Sequence, residues 1–437
     1  MKVLIVTYYW PPSGGSGVQR WMYFAKHLEE NGIEPIVVTI NPENAAFASV
    51  DYSLLEQVKH VKTHYTSGGF QLLKLYSFLK SGSTKKQIPV GNFGNKKKSI
   101  FDKLSGYIRA NYFIPDARVG WNKKAIPLVE ELIKKENITI IITTGPPHST
   151  HLIGLEIKKR HNHIKWLADF RDPWTEVYYN TLFKKNKRAD KKDRSLELEV
   201  LEKSDLVLTI GPSMKELLEN KIPRQKDKVH SILNGFDDTL LNGIKGERYP
   251  EFTIAHIGIW TLQQAHKEII ESLKNILTEN KEWVIRFVLV GNIHPEIIEE
   301  LTKIPNLIID HRGKVSQKDA LQEMMNADVL LNCLAILPNS KILISGKLME
   351  YLATGNSMVV IGDKEGDAAG LMKNIENASM ISPNDIETLS KTIAEIYQKE
   401  RTQPCLSTKM NQFSRKSTTK LLAELIQSKL IPNITTK

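Results

Sequence analysis

Ser345-Gly346-Lys347-Leu348-Met349-Glu350-Tyr351-Leu352-Ala353-Thr354-Gly355 lies between two short apolar runs, Val329–Cys333 and Met358–Ile361. Its polar, glycine-containing start and the closing Gly355 predict a capped helix with a glycine stop. Strand, helix and strand in that order make a parallel unit. Lys347 and Glu350 share one face near the helix start. Gly346 removes side-chain bulk where the free N–H groups of the first turn point outward, so a phosphate would meet backbone donors and Lys347. Glu350, a turn deeper, would accept hydrogen bonds from a ribose diol. The same spacing also describes a solvated i,i+3 ion pair on an ordinary helix. The surrounding sequence has to decide.

Outward from this stretch, strands and helices alternate. The pattern predicts strand Thr253–Ile257, helix His266–Leu277, strand Val284–Val290, helix Pro295–Lys303, strand Leu307–Asp310 and helix Gln317–Asn326 before it, and helix Ile386–Lys399 after it. An earlier series opens with strand Lys2–Thr7, a loop through Gly17, a helix to about Asn31 and strand Pro35–Ile40. It resumes with strand Ile138–Thr143, helix Leu152–Arg160, strand Lys165–Asp169, helix Lys191–Lys203 and strand Asp205–Ile210. Residues 63–121 break the rhythm with Gly, Ser, Lys and aromatics around an apolar patch, Phe70–Tyr76, and predict an insertion. The expected fold is α/β: two Rossmann-like, doubly wound parallel-sheet domains, 1–241 and 250–403, facing across a cleft. A last helix, near Thr418–Lys429, lies outside both series.

The length of 437 residues suits two cores rather than one. Cys333 and Cys405 are the only cysteines, too few for a disulfide framework or a cysteine metal site, and imply a reducing cytoplasm. The apolar start reads as a buried strand instead of a signal peptide, and no apolar run approaches the roughly 18–20 residues of a membrane span. The net charge is +11. Lysine pairs and triplets at 85–86, 96–98, 123–124, 134–135, 184–185 and 191–192 all fall in the first half. Each alone is solvated surface; together they suggest an anionic partner, with a membrane surface on the cytoplasmic side as one candidate. Nucleic acid is not expected, because no recognition motif or interleaved aromatics accompany the basic runs.

Three further clusters sit at strand ends. The first, Trp10-Pro11-Pro12-Ser13-Gly14-Gly15-Ser16-Gly17-Val18-Gln19-Arg20, occupies the place of a phosphate loop. It departs from the dinucleotide fingerprint, since Arg20 takes the third glycine's place and Thr39-Ile40-Asn41 offers no acid to a ribose. The loop is either free to close over a substrate or a tight turn that needs glycine. In Thr143-Thr144-Gly145-Pro146-Pro147-His148-Ser149-Thr150-His151, His148 and His151 could contact an acceptor or cap the following helix. In Leu167-Ala168-Asp169-Phe170-Arg171-Asp172-Pro173-Trp174, three charges end a buried strand, so they are either paired, for instance Arg171 with Asp172, or turned to a cleft. No Asp-x-Asp, His-Glu-x-x-His or Cys-x-x-Cys is present, and neither metal nor cofactor is expected.

In combination these segments resemble family 4 (group 1) retaining glycosyltransferases of the glycosyltransferase-B fold, in their bacterial surface-polysaccharide branch. The Gly-rich first loop, Asp169-Phe170-Arg171-Asp172-Pro173-Trp174, the connector Asn234-Gly235-Phe236-Asp237 and the Lys347-x-x-Glu350-Tyr351-Leu352-Ala353-x-Gly355 helix carry the resemblance. It implies that Glu350 binds the donor ribose, that Gly346 and Lys347 approach the diphosphate, that Gly15 and Gly17 lie near the reacting sugar, and that the final helix (about 409–430) crosses back onto the first domain. Gly258 and Gly291, each directly after a strand, and Lys267 join the donor-binding candidates; Asp169, Arg171, Asp172, His148 and His151 are the catalytic candidates. Three departures stand out. Ile342 holds the position of a second family Glu, Gly258-Ile259-Trp260-Thr261 lacks the diphosphate Arg and Lys, for which Lys267 or His266 would substitute, and Arg171 falls where many members have a His.

The resemblance implies a retaining transfer of sugar from a nucleoside-diphosphate-sugar to a sugar or lipid-linked acceptor, without a required metal, at the cytoplasmic face. A nucleotide-sugar epimerase on the same fold and a noncatalytic nucleotide- or lipid-binding subunit of polysaccharide assembly are the alternatives.

Overall fold

A computed structural model of the chain describes residues 1–45, 47–68, 100–177, 185–237, 239, 243–335, 339–401 and 408–431. The chain divides into two compact units, Met1–Leu233 with Thr418–Lys437, and Asn234–Ser417.

The first unit runs β1 (Lys2–Val6), α1 (Ser16–Leu28), β2 (Glu34–Ile40), α2 (Ser53–Gln57), β3 (Lys62–Thr66), α3 (Ile100–Tyr112), α4 (Asn122–Lys135), β4 (Ile140–Gly145), α5 (Ser149–Arg160), β5 (Lys165–Phe170), α6 (Lys187–Lys203), β6 (Leu206–Thr209), α7 (Pro212–Lys221) and β7 (Val229–Ser231). Its strands form one parallel sheet in the order β3-β2-β1-β4-β5-β6-β7. The central strands are apolar on both faces because helices cover both: Val3, Leu4, Ile5 and Val6 are all buried.

The second unit runs β8 (Phe252–Ile257), α8 (Lys267–Glu279), β9 (Ile285–Val290), α9 (Pro295–Thr302), β10 (Leu307–Gly313), α10 (Gln317–Asn326), β11 (Val329–Cys333), α11 (Gly346–Thr354), β12 (Ser357–Ile361), α12 (Asp367–Met372), β13 (Ala378–Ile381) and α13 (Ile386–Gln398). Its parallel sheet has the order β10-β9-β8-β11-β12-β13. The helix α14 (Arg415–Leu430) then carries Leu422, Ala423, Ile426 and Leu430 into the same core cluster as Val3, Ile5 and Met22 of the first unit.

Both expected doubly wound sheets are present, with differences at their margins. β3 pairs with β2 where the sequence suggested that the insertion had already begun. β7 and β13, short edge strands, carry no apolar run that would announce them. The helix after β4 starts at Ser149, not Leu152, which brings His151 inside it. The Phe70–Tyr76 patch and the lysines at 85–86, 96–98 and 184 lie outside the described residues. Lys123, Lys124, Lys134, Lys135, Lys191 and Lys192 are exposed.

Candidate functional site

In each sheet the strand order reverses direction at one place, between β1 and β4 and between β8 and β11. Such points open a crevice beyond the strand carboxyl ends, because the flanking connections leave toward opposite faces.

In the second unit, β8 and β11 pair only through Val329 with Ile254 and Leu330 with Ala255 before they part. Side chains satisfy the backbone groups this leaves behind. The Tyr351 hydroxyl accepts from the Ile257 N–H at 2.9 Å and donates to the Leu331 carbonyl at 3.4 Å. The Nδ1 of His256 lies 3.2 Å from the same carbonyl, and its ring stacks on Trp260 with centroids 4.8 Å apart. α11 opens directly over this gap. Ser345 is its N-cap, with its hydroxyl accepting from the Leu348 N–H at 3.3 Å, and Asn332 at the end of β11 donates to that hydroxyl at 2.8 Å. Such a cap contributes about 1 kcal/mol. The helix ends on Gly355 with φ of 72°, a left-handed stop that a side chain would strain.

Gly346 is exposed, and a Cβ placed on it would meet nothing within 4 Å, so the first turn of α11 faces open space. The Lys347 ammonium sits 3.2 Å from His256 Nε2. Burial pulls the pKa of Lys347 down to about 8, with the neighbouring Cys333 opposing slightly. Among the described residues Lys347 has no salt bridge and Glu350 has no hydrogen bond. Burial raises the Glu350 pKa, and Arg415 acts against that rise. Arg415 is brought there by backbone pairing: Phe236 of the connector donates to the Phe413 carbonyl and accepts from the Arg415 N–H. The cluster therefore combines a cation of reduced hydration, a half-buried carboxylate and a capped helix start. That combination suits an anion with a diol attached.

Gly258 and Gly291 follow β8 and β9 with φ of 121° and 110°. A Cβ on Gly258 would stand 3.2 Å from the Lys347 ammonium, so its bareness lets the lysine approach the strand end. A Cβ on Gly291 would stand 2.2 Å from the Gly258 carbonyl oxygen; this glycine serves the close passage of two backbones. Lys267 is the exposed first residue of α8 and has no hydrogen bond or ion pair with His256, Lys347 or Glu350 among the described residues. Ile342 ends a short turn, Ser340–Ile342, and provides no carboxylate.

Near the other reversal Asp169 is turned inward, Arg171 is bonded to loop carbonyls and Asp172 is exposed. Asp169 has 0% exposure, and its carboxylate accepts from Arg20 Nε at 3.1 Å, Trp21 Nε1 at 2.6 Å and the Thr144 hydroxyl at 2.9 Å. It ties α1 to β4. His151, also 0% exposed, stacks on Phe170 with centroids 4.5 Å apart, and its Nδ1 lies 2.9 Å from the Thr143 hydroxyl, which accepts from Trp166 Nε1. Asp169 and His151, both expected at the site, are enclosed within the core. His148 is the buried N-cap residue of α5, its ring stacked on Trp174 at 5.0 Å without making a capping bond. Burial drives its pKa down to about 3, so it stays neutral.

Arg171 forms no salt bridge with Asp172. Its Nε donates to the Gly145 carbonyl at 3.1 Å, and its two terminal nitrogens donate to the carbonyls of Gly17 and Pro146. One guanidinium thus clamps the glycine loop to the turn after β4. The loop is fixed on its other side as well, by Gly14 N–H on the Ser49 carbonyl at 2.9 Å and Asp51 N–H on the Pro12 carbonyl at 2.7 Å. Gly15 and Gly17 remain exposed, Gly15 with φ of 91° as the N-cap of α1. Asp172 is exposed and has no hydrogen bond among the described residues; the protein packed behind it raises its pKa, with Arg171 opposing.

Sequence reading missed His256 and Arg415. His256 is a lone histidine within the largely apolar strand β8, and Arg415, the first residue of the last helix, belongs to none of the quoted motifs. No group of three or more His, Cys, Asp and Glu among the described residues could hold a metal ion. No described helix is long and apolar enough to cross a membrane.

No protein-family model matches the sequence, and no curated protein matches it. Solved structures do match. A glycosyltransferase from Rickettsia africae superposes with a TM-score of 0.62 at 16% identity, over 98% of each chain. An α,α-trehalose-phosphate synthase (UDP-forming) from Burkholderia xenovorans, in complex with glucose-6-phosphate, gives 0.57 at 8% identity, over 97% of this chain and 98% of that one. A Listeria monocytogenes protein assigned as a UDP-N-acetylglucosamine 2-epimerase gives 0.52 at 12% identity, over 98% of this chain and 96% of that one. At these identities the likeness is one of fold, and the fold is the glycosyltransferase-B type with two parallel-sheet α/β domains.

Proposed function

We propose that the chain is a glycosyltransferase that moves a sugar from a nucleoside-diphosphate-sugar to a hydroxyl acceptor, with retention of configuration and no required metal. One observation carries this reading: Lys347 and the open first turn of α11 lie where β8 and β11 part, with the half-buried Glu350 three residues further along the same helix. Glu350 takes the ribose diol, while Lys347 and the Gly346 end of the helix neutralise the diphosphate as it leaves. Retention follows if the acceptor attacks on the face the leaving group departs, with the donor phosphate accepting its proton. The protein then mainly positions and neutralises charge. On this reading Gly15 and Gly17 belong to the sugar being transferred, and Arg171, Asp172 and His148 shape the acceptor side. A lipid-linked or surface-polysaccharide precursor suits the exposed lysines of the first unit, which would draw the enzyme to an anionic membrane surface on the cytoplasmic side.

A thermal-shift screen of nucleoside diphosphates and their sugars tests the donor site, because a ligand of the native state raises its melting temperature. Transfer assays then separate the roles: Glu350→Ala raises donor KM and Lys347→Ala lowers kcat. Unchanged activity in both variants removes the assignment. The epimerase-like neighbour supports a second reading, a nucleotide-sugar epimerase. An epimer formed from donor alone, with no acceptor present, would favour it.

A further inference from the structure

Lys347 is half-buried, yet its one hydrogen-bonding partner among the described residues is the ring of His256 on the neighbouring strand. His256 is 0% exposed and set in the gap where β8 and β11 separate. Its Nδ1 faces the Leu331 carbonyl at 3.2 Å, which demands an N–H there. Its Nε2 faces the Lys347 ammonium at 3.2 Å, which demands a lone pair. The two contacts select one neutral tautomer. A phenylalanine would fill the same volume against Trp260 but leave the ammonium without an acceptor.

We propose that His256 is a positioning residue of the donor site: anchored on the Leu331 carbonyl, its imidazole accepts one N–H of Lys347 and aims the ammonium at the diphosphate in front of α11. This role rests on the donor-site reading above. The groups that face the pair support the tautomer. Burial, and then Lys347, hold the His256 pKa well below the ordinary value, against the carbonyls of Ile259 and Leu331. On β11, Cys333 is a buried thiol whose pKa is pushed up to about 12; it remains protonated beside the ammonium, and Glu268 on α8 adds to that upward push. A ring that stays neutral can accept from the lysine throughout the range in which the lysine titrates. The arrangement orients a binding cation through a second, deeper side chain.

The test is calorimetric titration of the full chain with UDP and with GDP between pH 6 and 9.5. Wild-type affinity should hold up to about pH 8 and then fall as Lys347 loses its proton. His256→Leu and His256→Asn, neither of which places an acceptor at the Nε2 position, should lose roughly 5–30-fold in affinity at pH 7 and begin that fall about one pH unit earlier. His256→Gln, whose amide oxygen reaches the Nε2 position, should stay within about threefold of wild type. In a Lys347→Met background His256→Asn should cost nothing further. Folded His256→Leu or His256→Asn protein with wild-type affinity and an unmoved pH profile overturns the role, as does an equal loss in the Lys347→Met background. If neither nucleotide binds the wild type, the donor-site reading itself has failed and this role falls with it.

Discussion

Charged residues stand near the reversal of each sheet, and the two sheets use them differently. At the end of β5, Asp169 is satisfied by Arg20, Trp21 and Thr144, while Arg171 is committed to the carbonyls of Gly17, Gly145 and Pro146. Between β8 and β11, Lys347 has a single neutral partner and Glu350 has no hydrogen bond among the described residues. A charge at a strand end is thus not itself a sign of ligand binding. On the proposed reading, a binding group is one that keeps bonding capacity after the scaffold has been satisfied.

The strongest way to break this contrast is to remove one charge from each side. Asp169→Ala leaves buried Arg20 without its counter-charge and Trp21 Nε1 without its acceptor, and should cost about 3–5 kcal/mol of stability, read by denaturant or thermal unfolding. Lys347→Met should leave the melting temperature close to wild type but weaken UDP or GDP binding by about 1.5–3 kcal/mol, roughly 10–150-fold. Should Asp169→Ala fold as stably as wild type, or Lys347→Met bind as tightly, the contrast fails.

Acid exposure sharpens it further. The His148 pKa falls to about 3 in the fold and that of His151 lies well below the usual 6.5, both chiefly through burial. The unfolded chain therefore binds more protons below about pH 6.5, and stability declines as pH drops from there toward about 3. His148→Phe should lessen that decline by roughly 1–3 kcal/mol at pH 4.5, measured as the difference between wild-type and variant unfolding curves. The smallest effect belongs to Gly346→Ala. With nothing within 4 Å of the added methyl, stability should change by less than about 0.5 kcal/mol, while nucleotide affinity drops several-fold if a diphosphate approaches the first turn. Equal affinity would move the anion away from that turn.

The long apolar strands and the capped α11 helix were legible because each local signal agreed with its neighbours: a run of buried aliphatics, a Ser N-cap, a Gly stop. β3 was not legible. Its Lys62-Thr63-His64-Tyr65-Thr66 is polar, as an edge strand with one half-covered side can be. Of the site, Lys347 and Glu350 could be read from one helix, since both belong to the same turn pattern. His256 could not, because its partner is 91 positions away and a lone histidine in an apolar strand reads as core. Asp169 and His151 present the converse case. Their residue types suggested chemistry, and only the donors around one and the rings around the other reveal that they are enclosed.

The helix α14 has a consequence for how the molecule is made. Leu422, Ala423, Ile426 and Leu430 complete the core that Val3 and Ile5 begin, and Gln427 donates to the Asn31 carbonyl at 3.2 Å. During vectorial synthesis the earliest strands emerge from the ribosome long before the segment that seals them. The second unit, whose residues 234–417 are contiguous, has all its parts first. The unit that begins the chain is thus the last to have all its residues translated, and until α14 emerges the strip that Leu422, Ala423, Ile426 and Leu430 cover in the finished protein has no partner from that helix.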